Sequence, residues 1–388
     1  MNASSPAQPE SVRERPPLLE RVRDFWRRVS EGRQIGDLWA QFTADARATY
    51  GFYSREVDWD AADKKTGLQR ALHIARGFFW ALLLKLSPAR RVLLLIALGM
   101  LVLSGLHVKF GSEANLDINF QFLATLLFFF LLVLELADRV AMKRDLEIAR
   151  EIQTWLVPSS PPEIPGAEMA FAARAQNTVA GDYYDAFYPT ASAADGGKLL
   201  VVVADVAGKS VPAALLMATL QASLRTIAGE GASLEEMVTR LNRYTCGHSL
   251  GGLRFTTAVL AEYDPTTRAI QYVNAGHNPP VLRRNSGDLE FLRTGGLPLG
   301  IAASSSHQTA RVELHPGDAL VLYTDGVVEA FDEGGKEFGE DRWFAAIRGL
   351  PQADAPSMLR HLMQRVDEFV GRTRQSDDIT CLVLRVRS

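Results

Sequence analysis

The sequence predicts an α+β fold in which antiparallel sheets are flanked by blocks of helices. Short turns such as TTRA and RNSGD join neighbouring strand-like segments, which is typical of antiparallel pairing. The helical patterns come in blocks rather than after each strand, which argues against a doubly wound parallel sheet. This pattern begins after about residue 160 of the 388 residues, so the chain also has room for a separate region before it.

The strands are expected where β-branched and aromatic residues form short apolar runs between turn residues. These segments are 168–175, 198–205, 254–264, 268–276, 280–285, 319–325 and 379–386. The helices are expected where apolar residues recur at spacings of three and four. These segments are 211–228, 234–245, 342–350 and 356–371.

The first 87 residues divide into two parts. Residues 1–15 lack apolar periodicity and do not resemble a secretory signal, so we expect a disordered tail. Residues 16–87 have a mostly helical pattern rich in Trp, Phe and Arg, and their role is unknown. Within them GFFWALLLKL (77–86) is too short to span a bilayer, and could lie at a membrane surface or pack as a core helix.

Two long apolar runs follow within residues 88–137. We expect transmembrane helices at about 92–108 and 120–137, each near the lower end of the ~17–25 residues that cross a bilayer. Basic residues flank the pair on its outer sides, so the positive-inside rule places both termini in the cytoplasm. This predicts a multi-pass protein of the bacterial inner (cytoplasmic) membrane. The alternative is a buried hairpin of core helices.

Residues 138–160 are expected to form a linker helix that ends at PSSPPEIPG, where the domain 161–388 begins. Met142, Leu146, Ala149 and Leu156 have spacings compatible with a coiled-coil seam. That seam would make a homodimer through the linker helix. The alternative is a helix that packs on the domain that follows.

Composition narrows the function classes. A formal net charge of -3 argues against a nucleic-acid binder held by bulk electrostatics. Two cysteines provide neither a disulfide framework nor a zinc cluster, and Cys246 and His248 lack the further ligands that zinc needs.

Aspartates recur where predicted strands begin or end. Asp205 ends one apolar strand and Asp325 ends another; AGDYYDAF holds Asp182 and Asp185, and QSDDIT holds Asp377 and Asp378. One such residue is more often a turn residue than a ligand, but several anions at strand ends need a cation. All-oxygen ligation suits Mg²⁺ or Mn²⁺. Two such ions would favour hydrolysis of a phosphate ester by metal-bound hydroxide.

The motifs AGDYYDAF, ADVAGKSVPAALLMA, NAGHNPP, PGDALVLYTDGVVEA and DDIT occur in one order. In that order they resemble the SpoIIE/RsbU-type branch of the metal-dependent (PPM, type-2C-like) serine/threonine protein phosphatases, over roughly residues 145–388. The resemblance implies an α-β-β-α sandwich of two antiparallel sheets and a site for two Mn²⁺ or Mg²⁺ ions. It also implies hydrolysis of phosphoserine or phosphothreonine on a protein, in bacteria often a STAS-domain anti-anti-sigma factor.

Matched motif by motif, the resemblance implies that four aspartates are catalytic through the metals and their water: Asp182, Asp205, Asp325 and Asp377. Val206 stands where the family offers a backbone carbonyl to a metal. Asp378 is a further candidate ligand, with hydrogen bonding around the site as its alternative. Asp185 is expected to support the site from outside it or to be structural.

Four other positions leave alternatives open. His277 in NAGHNPP is a candidate general acid or a hydrogen-bonded structural histidine, and Lys209 either attracts phosphate or is a solvated loop residue. Ser210 stands where the motif DVxGKG has its last glycine, and Ala180 replaces a frequent Gly or Ser. Serine there is expected to tune the loop, unless the position needs a positive φ.

Taken together, the sequence predicts a membrane-anchored, cytoplasmic metal-dependent protein phosphatase. Two rival functions stay open. The domain could be a non-catalytic receptor module that only sequesters a partner, or a hydrolase of a small phosphorylated metabolite.

Overall fold

The computed structural model describes residues 67–103, 119–189, 197–248 and 254–387. The predicted N-terminal tail, most of the N-terminal helical region, the end of the first apolar run and the loop after it lie outside the described residues. The chain divides into two compact units, with the boundary between Asp138 and Arg139.

The described part before residue 157 consists of three helices: α1 (Gly67–Lys85), α2 (Pro88–Leu103) and α3 (Phe120–Leu156). The second apolar run and the linker thus form one helix of 37 residues, which contains neither Gly nor Pro. Arg90 at the start of α2 donates to Asp138 on α3 across 2.6 Å. Charged groups therefore pair at the end of the apolar stretch.

Two of the described helices are long and apolar enough to cross a membrane. One is α3, whose apolar first half leaves large side chains exposed. The other is Val211–Gly229, a helix of the second unit with buried side chains in that unit's core. The described part of α2 has 16 residues, fewer than a span needs. The predicted transmembrane hairpin therefore remains a prediction.

Eleven strands are found among the described residues of the second unit. They are β1 (Ala167–Arg174), β2 (Tyr183–Phe187), β3 (Leu199–Val206), β4 (Thr256–Asp264), β5 (Ala269–Ala275), β6 (Val281–Arg283), β7 (Leu289–Phe291), β8 (Gly295–Gly296), β9 (Ala310–Glu313), β10 (Ala319–Tyr323) and β11 (Ile379–Val386). One sheet has the order β1-β11-β10-β6-β7. The other has the order β2-β3-β4-β5-β8, with β9 also paired to β5. Only the two-residue pairing of β8 with β5 is parallel among these strands.

The two sheets pack face to face through alternate residues of their strands. Leu199, Val201 and Val203 of β3 belong to the same buried cluster as Leu382 and Leu384 of β11. Residues two apart on a strand point to the same face, so each strand gives this core its alternate side chains and sends the others outward.

Helices cover both outer faces. The helices α4 (Val211–Gly229) and α5 (Leu234–His248) bury Met217 and Leu241 against the second sheet. The helices α6 (Gly339–Arg348) and α7 (Ala355–Val370) bury Trp343 and Leu362 against the first. The α-β-β-α sandwich predicted from the sequence is confirmed for this unit.

The differences from the predicted elements are local. Four strands are absent from the predicted segments. The strands β7, β8 and β9 have four residues or fewer, too short for an alternating pattern to show, and β2 has five residues that include Asp185. The helix α6 begins at Gly339, three residues before the predicted start, and β10 ends at Tyr323, two residues before Asp325.

The predicted coiled-coil seam does not stand out as an exposed stripe. Leu146, Ala149 and Leu156 are half-buried, while Met142 is exposed. They share the helix face of Gln153, whose side chain hydrogen-bonds to the backbone of Ala180 in the sandwich unit. This arrangement agrees with the alternative, a helix packed on the domain that follows.

Candidate metal centre

Four aspartates lie where the two sheets adjoin at one end. Asp182 directly precedes β2 and Asp205 is the penultimate residue of β3; the pairing of Tyr183 with Ala204 makes them opposite neighbours in one sheet. On the other sheet Asp325 begins a 3₁₀ turn after β10, and Asp377 precedes β11. The fold therefore brings together residues that are up to 195 positions apart in sequence.

Threonines of the first sheet tie Asp182 to that sheet. The hydroxyls of Thr324 and Thr380 both donate to the same carboxylate oxygen of Asp182, at 2.9 and 2.6 Å. Burial, and then the charge of Asp205, raise the pKa of Asp182 well above its usual range. The carboxylate is thus held in place but is costly to ionise without a cation.

Asp205 and Asp325 also have raised pKa values. Burial, followed by the charges of Asp325 and Asp377, raises the pKa of Asp205 to about 7. Burial and the charge of Asp377 raise the pKa of Asp325. Like charges shift each other in this way only when they lie close together, so these groups converge. Bound divalent cations would relieve the repulsion.

The donor set fits hard divalent ions, because every candidate ligand offers oxygen. Within the described ranges no three Asp, Glu, His or Cys side chains already form a group that could hold a metal ion. Instead the ammonium of Lys209 lies 3.0 Å from a carboxylate oxygen of Asp377. A side-chain cation therefore neutralises one of the four carboxylates.

Two glycines allow the backbone of the site to pack closely. A Cβ added to Gly326 would lie 2.0 Å from the carbonyl oxygen of Asp378, so only glycine lets the turn after β10 approach β11. A Cβ added to Gly181 would lie 3.2 Å from the carbonyl oxygen of Val206. Gly181 thus lets the backbone before Asp182 lie close to the Val206 carbonyl, which the resemblance implies is a metal ligand.

Asp378 has both carboxylate oxygens engaged by the backbone. One accepts from the amide of Gln176 at 2.7 Å and the other from the amide of Gly181 at 2.6 Å. These bonds agree with the alternative in which Asp378 supports the site by hydrogen bonding.

Asp185 lies away from the four aspartates' common end of the sheet, in the middle of β2. It is fully buried and accepts two 2.8 Å bonds from the guanidinium of Arg225 on α4, and one from the hydroxyl of Tyr183 at 2.7 Å. Arg225 also stacks over Phe187. The expected structural role of Asp185 is therefore to fasten α4 to the sheet.

His277 uses both ring nitrogens inside the fold. Nε2 lies 3.1 Å from the carbonyl oxygen of Tyr323 and so donates to it, and Nδ1, 2.8 Å away from the hydroxyl of Thr257, accepts. Burial lowers the pKa of His277 to about 4. The side chain joins the two sheets behind the site, which agrees with the structural alternative rather than the general acid.

Ser210 adopts φ 65° and ψ −146°, a conformation that glycine tolerates and serine rarely adopts. The position therefore does need a positive φ, and serine is strained there. Its side chain makes no capping bond to the start of α4.

Some residues of the site did not stand out in the sequence. Thr324 directly precedes Asp325 in YTDG, and Thr380 lies two residues after Asp378 in DDIT; this proximity was their only signal. Glu329 is close enough to Asp325 and Asp377 for their charges to raise its pKa, after burial. Gln153 lies on the linker helix, and nothing in its spacing points to the site.

Comparisons with known proteins agree with this geometry. The family described as Stage II sporulation protein E (SpoIIE) matches residues 195–387. Phosphoserine phosphatase RsbU of Bacillus subtilis is 27% identical over 248 residues, which are 63% of this chain and 70% of RsbU. Protein IcfG of Synechocystis is 25% identical over 267 residues, and the match spans only 41% of IcfG.

A solved structure shares the fold. The SiaA-PP2C domain of Pseudomonas aeruginosa superposes with a TM-score of 0.56 at 21% identity, covering 64% of this chain and 98% of that domain. The family match covers the sandwich from β3 onward, with Asp205, Asp325 and Asp377, while β1, β2 and Asp182 precede it. Residues 195–387 therefore match the SpoIIE family, and the findings together support the SpoIIE/RsbU branch of the metal-dependent serine/threonine protein phosphatases.

Proposed function

We propose that the chain is a membrane-anchored protein phosphatase that hydrolyses phosphoserine or phosphothreonine on a partner protein. The observation that carries the proposal is the convergence of four carboxylates from both sheets. The charge of Asp205 adds to burial in raising the pKa of Asp182, and the charge of Asp377 does the same for Asp205 and Asp325. Such a cluster is unfavourable by itself and becomes favourable with bound cations.

Asp182, Asp205, Asp325 and Asp377 would hold two Mn²⁺ or Mg²⁺ ions, together with the backbone carbonyl of Val206. When bound, such ions activate water and neutralise the phosphoryl oxygens. The protein's own part is to fix the carboxylates: Thr324 and Thr380 orient Asp182, and the close approach at Gly326 sets Asp325 beside Asp377. Asp378 holds the loop before Asp182.

The test is Mn²⁺-dependent turnover by purified Asp205→Asn and Asp325→Asn variants. Both should lose measurable activity on a phosphoserine peptide, because each removes a charge that the ions require. The control is Asp341→Asn, an exposed aspartate on α6, which should retain wild-type activity. Undiminished turnover by both site variants would contradict the proposal.

The rival functions give different results in the same assay. A receptor module that only sequesters a partner would show no turnover of an aryl phosphate at any Mn²⁺ concentration. A metabolite hydrolase would turn over small phosphate esters and leave phosphoprotein untouched. Efficient hydrolysis of phosphoprotein distinguishes the proposed function from both.

The substrate we propose is a phosphorylated bacterial signalling protein, with a STAS-domain anti-anti-sigma factor as the first candidate. The relative RsbU is named a phosphoserine phosphatase, which supports the phosphoserine class. A phosphoproteome of cells that express Asp205→Asn should show one accumulating phosphoserine protein. Its absence would argue against a protein substrate.

The membrane anchor is supported by α3, whose apolar first half exposes Phe122, Phe129 and Leu132. The pairing of Arg90 with Asp138 places charge where the apolar segments end. We propose a hairpin with both termini in the cytoplasm. A cysteine at Ser112, in a Cys246→Ser/Cys381→Ser background, should react in intact spheroplasts with an impermeant maleimide. A cysteine at exposed Glu151 should react only after lysis.

A homodimer through the linker helix is supported by a different stripe from the one the sequence indicated. Ile148, Ile152 and Trp155 are exposed at 47, 49 and 72%, and their spacing places them on one helix face. A second copy of α3 would bury them. Ile148→Glu/Ile152→Glu should shift the purified chain from dimer to monomer in sedimentation, whereas Glu151→Ala should not.

A further inference from the structure

We infer that Gln153 of the linker helix α3 is a positioning residue for the metal centre, an inference that rests on the proposed function. Its side-chain amide makes a pair of hydrogen bonds with one residue of the sandwich. Nε2 donates to the carbonyl oxygen of Ala180 at 2.7 Å, and the amide of Ala180 donates to Oε1 at 3.0 Å. The side chain thus satisfies both backbone groups of Ala180, as a neighbouring strand would.

Ala180 needs such a partner because it lies outside the sheets. The strand β2 begins three residues later, at Tyr183, so Ala180 has no paired residue on a neighbouring strand. On the linker side, a cavity of about 200 Å³ borders this segment and reaches Gln153, Ala180 and Asp182. Hydrogen bonds rather than close packing therefore fix the segment on that side.

The residues after Ala180 connect it to the metal centre. The amide of Gly181 donates to Asp378 at 2.6 Å, and Gly181 packs against the carbonyl of Val206. Asp182 follows directly. A shift at Ala180 would therefore move a carboxylate ligand and a carbonyl ligand together. Groups that orient metal ligands from outside typically change metal affinity by about tenfold to a hundredfold when removed.

The experiment measures Mn²⁺ binding to the full chain in detergent, from the electron paramagnetic resonance signal of free Mn²⁺. Gln153→Ala removes both bonds and should raise the Kd for Mn²⁺ about tenfold or more. Turnover at saturating Mn²⁺ should stay within about twofold of the wild type, because Gln153 does not touch the reacting groups. Glu151→Ala, two residues earlier on an exposed face, is the matched control and should bind normally.

Gln153→Glu separates positioning from packing. It keeps the size of the side chain, but it replaces the donor facing the Ala180 carbonyl with an acceptor. A positioning role predicts weakened Mn²⁺ binding by this variant too. A Kd within about twofold of the wild type for Gln153→Glu, or for Gln153→Ala with only a lower melting temperature, would overturn the inference.

The same measurement keeps this inference apart from the proposed function. A wild-type chain that binds Mn²⁺ but hydrolyses no phosphoprotein would contradict the proposed activity. The binding comparison between Gln153 and Glu151 variants would still decide the role of Gln153.

Discussion

The ammonium of Lys209 lies 3.0 Å from a carboxylate oxygen of Asp377, and it also donates to the carbonyl of Ser376 at 3.1 Å. Lys209 lies in the loop after Asp205, at the end of β3 in one sheet, and Asp377 precedes β11 of the other sheet. The ion pair therefore connects the two sheets at the site. If Asp377 holds a metal ion as proposed, the ammonium would compete with that ion for the carboxylate, and it would also add positive charge where a phosphate would arrive.

We predict opposite effects of Lys209→Met on metal and substrate. Mn²⁺ should bind more tightly by about two- to fivefold, because a half-exposed ion pair of ~1 kcal/mol or less no longer has to be broken. The KM for a phosphoserine peptide should rise. Calorimetric titration with Mn²⁺ and steady-state kinetics at saturating Mn²⁺ measure the two effects separately. Weaker Mn²⁺ binding by the variant would contradict the competition.

Relieving the strain at Ser210 should stabilise the protein. Ser210→Gly is expected to gain about 1 kcal/mol, since glycine adopts the observed φ of 65° without steric cost. That corresponds to a melting temperature higher by roughly 2–4 °C for a domain of this size. Ser210→Ala is the matched control, because alanine keeps the Cβ and should gain nothing. An equal gain from both substitutions would show that strain is not the cause.

The buried pair of Asp185 and Arg225 should be expensive to break from one side. Arg225→Met leaves the fully buried carboxylate without its cation and should cost about 3 kcal/mol or more. Arg240→Met, which breaks a partly exposed pair with Glu230 directly after α4, should cost less than about 1 kcal/mol. Thermal unfolding of both variants tests the comparison.

A double variant shows whether the cost comes from the unpaired charge. Asp185→Asn/Arg225→Met should be more stable than Arg225→Met alone, because the remaining buried group is then neutral. If the single and double variants lose the same stability, the loss comes from the packing of Arg225 on Phe187.

His277 should make stability sensitive to acid. Its pKa of about 4 in the folded state lies below the ordinary 6.5, so the unfolded chain binds a proton first as the pH falls. The stability that His277 contributes is therefore complete above pH 6.5 and decreases towards pH 4, by about 3 kcal/mol in total. His277→Gln removes this term.

The measurement is the melting temperature of both proteins between pH 7.5 and 4.5. Over this pH interval the melting temperature of the wild type should fall further than that of His277→Gln, even though the variant has the lower melting temperature at pH 7.5. Parallel curves would contradict the neutral buried histidine.

Much of the sandwich could be predicted from the sequence, because its long strands and helices carry clear periodicity. The core strands β3 and β11 and the helices α4 and α7 lie within one or two residues of prediction. The aspartates were also predictable, since each lies beside a turn at the end of an apolar strand. The short strands at the edges of the sheets bury too few side chains to produce an alternating hydrophobic pattern in the sequence.

What the sequence did not predict are contacts between residues far apart in the chain. The bond from Gln153 to Ala180 and that from Thr380 to Asp182 join positions 27 and 198 residues apart. Side-chain spacing reports which face of an element is apolar, but not which polar group lies opposite. The strain at Ser210 was visible only as a departure from a motif, and its φ required the structure.

The carboxylates of the site come in equal number from the two sheets, and His277 spans the same gap beneath them. Ions bound there would hold the two sheets together, because their binding free energy opposes separation of the sheets at that end. Removing them should loosen the ends of β3 and β10 first, while the far end stays closed. Faster amide hydrogen exchange of Asp205, Val206 and Asp325 in the metal-depleted protein, with little change at Leu199 or Ala319, would be its signature.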